Sequence, residues 1–291
     1  MVIPETLEEI ANIVRDAKGT VIFHARPQPH PFAISGPTGP DVVAISMSSY
    51  EGIIEHDVAD QVVVVRAGTT LTQLQSHLAI TGQCLPLPRF DANYELATAT
   101  IHGPLIDKIA FNLPHGLQFQ CGSWRDWIIG MKIVRADGTI VKCGSKAVKN
   151  VAGFDVQKLM IGARNTLGLV AEVTLKTYPI EALPLSEVQI VPTMAGRAPN
   201  FIQRVLPTDL NAAIRSLGQQ LIACDRPSST LWAEVRPMES PRRFNGDWIM
   251  RAGAGPRNLE FPDAALVKLM RRTKELFDPG YKLNPGAMGI F

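Results

Sequence analysis

Leu7, Ile10, Ala11 and Val14 recur at the spacing of one helical face, and Thr6 with Glu9 three residues on forms a capping box, so a helix is expected over 6–17. Gly19 closes it. The apolar runs 20–23, 42–45 and 62–65 read as strands; the last, Val62-Val63-Val64-Val65, does not alternate and should be buried on both faces. With the helix these three make a small α/β lobe. Leu71, Leu74 and Leu78 predict a second helix over 70–81, stopped by Gly82. After an irregular stretch to about 122, apolar runs at 127–134 and 139–141 flank Ala136-Asp137-Gly138, a hairpin signal. Positions 167–177 alternate and predict a long strand ending at Pro179.

Beyond Pro179 the pattern changes to a strand at 187–191, a helix at 209–222, strands at 231–235 and 247–251, and a helix opened by Pro262 that runs to Phe277. This β-α-β-β-α order is a ferredoxin-like unit without its last strand, with 192–207 as its loosest part. One sheet edge is then left open, and a partner is expected to bury the surface near 231–235 or 247–251. The tail from Phe277-Asp278-Pro279 through Leu283-Asn284-Pro285-Gly286 should fold back on the first domain, with Pro279 and Pro285 fixing its course and Leu283 and Phe291 inserting apolar side chains.

Composition narrows the function. The 291 residues are 46% hydrophobic, enough for a substantial core, and 29 basic against 27 acidic side chains give no field that would attract nucleic acid. No stretch approaches the ~18 apolar residues of a membrane span, and the acidic first residues do not resemble a signal peptide, so a cytoplasmic location is expected. Cys84, Cys121, Cys143 and Cys224 lack metal-site spacing, so no metal centre is expected. GxSxG, phosphate-loop and HExxH motifs are absent, and all six histidines precede residue 116. No catalytic residue is assigned.

One segment has no place in an ordinary strand-to-helix connection: Lys149-Asn150-Val151-Ala152-Gly153-Phe154-Asp155. By spacing alone Gly153 serves a tight turn, Lys149 is a solvated charge, and Phe154 looks buried. Arg125-Asp126, Gly130, Asp137-Gly138, Leu159, Gly162 and Leu167-Gly168 stand in register with this segment. Together they closely resemble the FAD-binding domain of flavoenzymes of the vanillyl-alcohol-oxidase (PCMH) type, and within it the FAD-binding E subunits of glycolate oxidase. Pro4-Glu5-Thr6, 62–68, Cys84-Leu85-Pro86-Leu87 and the 277–286 tail extend the resemblance more weakly.

The resemblance implies an α+β fold: a two-lobed PCMH-type domain over 1–179, with lobes of about 1–67 and 68–179, then a shortened ferredoxin-like cover over 180–291. Two lobes would clasp an extended FAD, lined by Pro86, Leu87, Thr100, Ile101, His102, Gly103, Gly122, Gly153, Leu167, Gly168 and Val170, with Asp155 a further cofactor-binding residue and Lys149 and Asn150 anchoring the flavin-side loop. It also implies a larger FAD-containing catalytic subunit and an iron–sulfur subunit as partners, a small 2-hydroxy acid such as glycolate or D-lactate as substrate, and a location at most peripheral to the inner membrane through those partners.

Two departures stand out. Where the family has a glycine-rich pyrophosphate loop, this chain has His24-Ala25-Arg26-Pro27-Gln28-Pro29-His30-Pro31, whose prolines offer no N–H donors. Either Arg26 replaces the lost attraction as a bidentate phosphate ligand, or the loop has lost that role. His102 stands in a place of paired glycines, where it stacks on the flavin, folds away or blocks the pocket. Two functions therefore stay open: an FAD-binding electron-transfer subunit, or a structural subunit of the same complex that has lost FAD.

Overall fold

The computed structural model describes residues 1–24, 39–87, 104–112, 121–146, 154–183, 189–190, 201–226, 229–234, 248–251, 255–258 and 264–287. Helix α1 (Leu7–Asp16) starts at its predicted capping box: Thr6 Oγ1 accepts from Glu9 N at 3.2 Å, and Glu9 Oε2 accepts from Thr6 N at 3.3 Å. Its Leu7, Ile10, Ala11 and Val14 stripe joins the main core. Strands β1 (Thr20–His24) and β2 (Val42–Ser46) pair in parallel.

Next come β3 (Ile53–Asp57), β4 (Val62–Arg66), α2 (Leu71–Ala79), β5 (Gln83–Cys84), α3 (Leu105–Phe111) and α4 (Trp124–Trp127). They lead to the hairpin of β6 (Ile128–Val134) and β7 (Ile140–Gly144), then α5 (Gln157–Met160), β8 (Leu169–Lys176) and β9 (Tyr178–Pro179). The hairpin closes as predicted over Ala136-Asp137-Gly138: Arg135 N donates to Thr139 O at 3.0 Å, and Gly138 takes φ +80°. A Cβ on Gly138 would meet Ala11 O at 2.6 Å, so the same turn seats α1 against the sheet.

Strand grouping departs from the sequence reading. Val62–Val65 does not join the first lobe's sheet; β4 pairs antiparallel with both β3 and β8 in a five-stranded sheet of order β3-β4-β8-β6-β7. Its non-alternating run is what an interior strand requires. Strand β8 does not alternate in burial either, being covered on both faces from Leu169 to Leu175, because it is the central strand. Helix α3, in the stretch read as irregular, is buried at all seven positions and is held at its start by Leu105 N to Thr69 O and Ile106 N to Ala67 O, both 2.9 Å.

The C-terminal part holds β10 (Gln189–Ile190), β11 (Phe201–Arg204), α6 (Leu210–Leu217), β12 (Leu221–Asp225), β13 (Thr230–Ala233), β14 (Trp248–Arg251), β15 (Gly255–Asn258) and α7 (Ala264–Phe277). Its six strands form one antiparallel sheet of order β10-β12-β13-β11-β14-β15. Strand β11 lies in the stretch expected to be loosest, β12 takes the end of the expected helix, and β15 was not foreseen. The expected open edge is corrected with them: β13 and β14 are interior strands, and the edges are β10 and β15.

The tail does fold back, and further than apolar contacts alone would bring it. Segment 282–284 runs beside β1 as a parallel extension: Val21 N donates to Lys282 O at 2.8 Å and Asn284 N to Val21 O at 2.9 Å. Asn284 Oδ1 accepts from Phe23 N at 2.9 Å, while its Nδ2 donates to Arg164 O at 2.8 Å. Leu283 sits wholly inside the main core. Phe291 lies outside the described residues. The course of the tail is fixed by Lys274, on the inward face of α7, whose Nζ donates to Thr166 O (2.6 Å), Asp278 Oδ2 (2.5 Å) and Leu283 O (3.0 Å) with no exposed surface. Burial pushes the Lys274 ammonium pKa down, opposed by the Asp278 carboxylate.

Replacing Lys274 by Met strands a buried carboxylate and two carbonyls, and should cost about 3–5 kcal/mol in urea unfolding. The double variant Lys274→Met, Asp278→Leu should recover only part of that loss, because Asp278 also accepts from Lys282 N at 3.0 Å and Leu283 N at 2.8 Å.

Candidate cofactor site

Of the residues assigned to a cofactor by resemblance, Arg26, Thr100, Ile101, His102, Gly103, Lys149, Asn150 and Gly153 lie outside the described residues. The others fall into three places. Leu167, Gly168 and Val170 lead into and begin β8, all buried, with the Leu167 and Val170 side chains in the core, so what they offer outward is main chain. Gly122 lies beyond the far end of that strand, since β6 starts at Ile128 opposite Leu175 and ends at Val134 opposite Leu169, and Asp155 is linked to that end through Lys158, whose carbonyl accepts from Arg125. At about 3.3 Å per residue the two ends are roughly 20 Å apart, a separation that suits an extended ligand. Pro86 and Leu87, both buried, follow β5. There Gln75 of α2 grips the chain through Leu85 N (2.8 Å) and Leu85 O (3.0 Å).

The β8 end is polar and tightly built. Gly162, Arg164 and Asn165 take φ of +84°, +52° and +55°, and Arg164, Asn165 and Thr166 are all buried. Gly162 N donates to Ile109 O and Arg164 N to Ala110 O, both 2.9 Å, so the loop continues the end of α3. Arg164 reaches the tail carbonyl of Ala287 and stacks 5.2 Å from the Phe111 ring centroid. Asn165 Oδ1 accepts from Val170 N at 3.4 Å. This run of polar residues between two glycines is the signal that sequence reasoning passed over.

At the far end, Gly122 (φ +81°) precedes a capping box in which Asp126 Oδ2 accepts from Ser123 N at 2.8 Å and Ser123 Oγ at 2.9 Å. Burial would raise the Asp126 pKa, but these bonds, with Lys158 and Lys176 nearby, hold it below the usual range. A Cβ on Gly122 would meet the Asp126 side chain at 2.9 Å, so this glycine serves the cap. Arg125 donates to Lys158 O at 2.9 Å, joining α4 to α5. Phe154 corrects the expectation of burial: it is 94% exposed. Beside the five-stranded sheet, Tyr50 OH donates to buried Glu172 Oε1 of β8 at 3.0 Å, and Lys132 pairs with Glu172 at 2.9 Å. Burial first, then the Glu172 charge, pushes the Tyr50 phenol well above its ordinary pKa.

One buried polar atom points to a bound molecule. Gln157 is 2% exposed, and its Oε1 has no donor among the described residues. Such an atom in a native core calls for a water or a ligand donor. No group of three His, Cys, Asp or Glu side chains gathers for a metal among the described residues.

A family model described as an FAD binding domain matches residues 1–144. This part of the chain belongs to the FAD-binding domain family, of the PCMH type. FAD is its cofactor, and the unmatched Gln157 acceptor fits a ligand rich in hydroxyl and N–H donors. The chain is 30% identical over 142 residues to glycolate oxidase subunit GlcE of Escherichia coli, covering 49% of this chain and 39% of that protein. It is 31% identical over 156 residues to a mitochondrial cytochrome D-lactate dehydrogenase of Arabidopsis thaliana, covering 54% and 26%. The matches thus span well under half the length of these relatives. Among solved structures, alkyldihydroxyacetonephosphate synthase matches at TM-score 0.50 and 16% identity over 75% of this chain and 36% of that one, which shows the fold alone.

Two outcomes are expected of this site. Asn165→Ala should destabilise by about 1–3 kcal/mol, through the left-handed backbone and the lost acceptor, and Asn165→Gly by less, since only the bond is lost; paired thermal unfolding checks the order. A phenol whose pKa is raised by folding stabilises fully below about pH 10 and loses that contribution as pH rises further. Tyr50→Phe should therefore flatten the fall in stability above that pH.

Proposed function

We propose that the protein is the FAD-binding subunit of a 2-hydroxy-acid dehydrogenase complex, acting in the oxidation of glycolate or D-lactate. The observation that carries this reading is the joint similarity to a glycolate oxidase subunit and to a D-lactate dehydrogenase across the FAD-binding part. Bound FAD supplies hydride and electron acceptance. The chain supplies the frame: main chain at 167–170 and 85–87 would line the cofactor, held from behind by the Asn165, Gln75 and Lys274 contacts. In the first lobe Arg26 would meet the pyrophosphate, and in the second Thr100, Ile101, His102, Gly103, Lys149, Asn150 and Gly153 would approach the flavin. The six-stranded C-terminal sheet would act as a cover, a shortened counterpart of a ferredoxin-like cap.

A larger FAD-containing catalytic subunit and an iron–sulfur subunit would complete the assembly, in the cytoplasm or at the inner membrane face through those partners. No helix among the described residues is long and apolar enough to cross a membrane. Purification of the chain, alone and co-expressed with its genomic neighbours, tests the reading. A yellow chain with the visible bands of oxidised flavin, whose assembly reduces a dye acceptor with glycolate or D-lactate, is expected. A yellow assembly that is inert toward both acids would refute the substrate reading, and a colourless chain would favour a structural subunit.

A further inference from the structure

Gln157 opens α5 with its side chain locked. Its Nε2 donates to Asp155 Oδ1 at 2.9 Å, and Asp155 is tied to Lys158 Nζ at 3.1 Å. The Lys158 and Gln157 bonds hold the Asp155 carboxyl below the usual carboxylate range, so it is an acceptor only. The amide therefore cannot turn over, because that would set two oxygens against each other. Its Oε1 must face away from Asp155, and there it has no donor among the described residues although the residue is buried.

A buried acceptor without a donor costs stability, and native chains seldom keep one without a ligand or an ordered water to match it. Helix α5 packs on β6, and Arg125 of α4 bonds the Lys158 carbonyl, so the element that carries Gln157 is held against the residues of the FAD-binding domain. FAD carries ribityl and ribose hydroxyls and a ring N–H, all donors of the kind this oxygen lacks.

We propose that Gln157 Oε1 accepts a hydrogen bond from bound FAD, with Asp155 and Lys158 as the brace that aims it. This rests on FAD binding by the domain and is independent of which acid is oxidised. Gln157→Met keeps the side-chain length and removes the acceptor. In flavin-stripped protein it should unfold close to the wild-type temperature, since removing the unmatched buried oxygen offsets the loss of the Nε2 bond to exposed Asp155. On titration with FAD, followed by quenching of flavin fluorescence, it should bind about tenfold more weakly, one hydrogen bond's worth.

If the oxygen instead bonds a water or another part of the chain, the stripped variant will unfold earlier and FAD affinity will not change; that result overturns the proposal. Asp155→Asn, at an exposed position, frees the Gln157 amide to turn and should weaken FAD severalfold even if Gln157→Met does not fold; unchanged affinity there also counts against the brace. A wild-type chain that binds no FAD would refute cofactor binding itself, an outcome distinct from an unaffected variant.

Discussion

The buried ammonium of Lys274 is the contact on which the arrangement of this protein depends. It has three hydrogens and three acceptors, each from a different stretch: the loop before β8, the turn after α7, and the tail beside β1. A lysine with no exposed surface is tolerated only when its charge is paired and its donors are used, and here both conditions hold. An apolar residue could fill the same space, yet it could not hold two main-chain carbonyls and a carboxylate at once. Continuity of chain is thereby decoupled from continuity of fold, since residues near the C-terminus complete a sheet begun at residue 20.

What Lys274 holds is the loop that carries the burden of the candidate site. Two consecutive non-glycine residues, Arg164 and Asn165, sit in the left-handed region, a conformation that persists only where its surroundings over-determine it. Here they do: α3 takes two of the loop's N–H groups, Asn284 takes its carbonyl, and Asn165 turns back onto Val170. Rigid main chain at the start of the central strand is what a cofactor needs when the neighbouring side chains are spent on the core.

The C-terminal sheet follows a different economy. Its small core of Val205, Leu210, Ala213, Leu217, Leu221, Cys224, Leu231 and Ala233 is separate from the main one, built by α6 against interior strands. Helix α7 returns the chain to the FAD-binding domain and keeps Leu266, Leu269 and Leu276 exposed while burying Lys274, the reverse of what side-chain polarity alone would suggest.

The local elements were legible in the chain because their causes are local. Capping at Thr6, the apolar stripes of α1 and α2, and the Asp137-Gly138 turn each depend on residues within one or two turns of themselves. Motifs in register from Arg125-Asp126 to Leu167-Gly168 likewise pointed to the flavoprotein family, whose model matches residues 1–144 and so takes in the first of them. Partner choice was not legible. A valine run such as 62–65 reads as an interior strand of any sheet, and only pairing with β8 decided which. Polar residues at 164–166 and Lys274 resemble surface positions until the fold encloses them, and Phe154 resembles core until the fold leaves it outside. The orphaned oxygen of Gln157 belongs to the same class: burial and the orientation of an amide against a carboxylate exist only in three dimensions, because each depends on what lies across the structure and not along the chain.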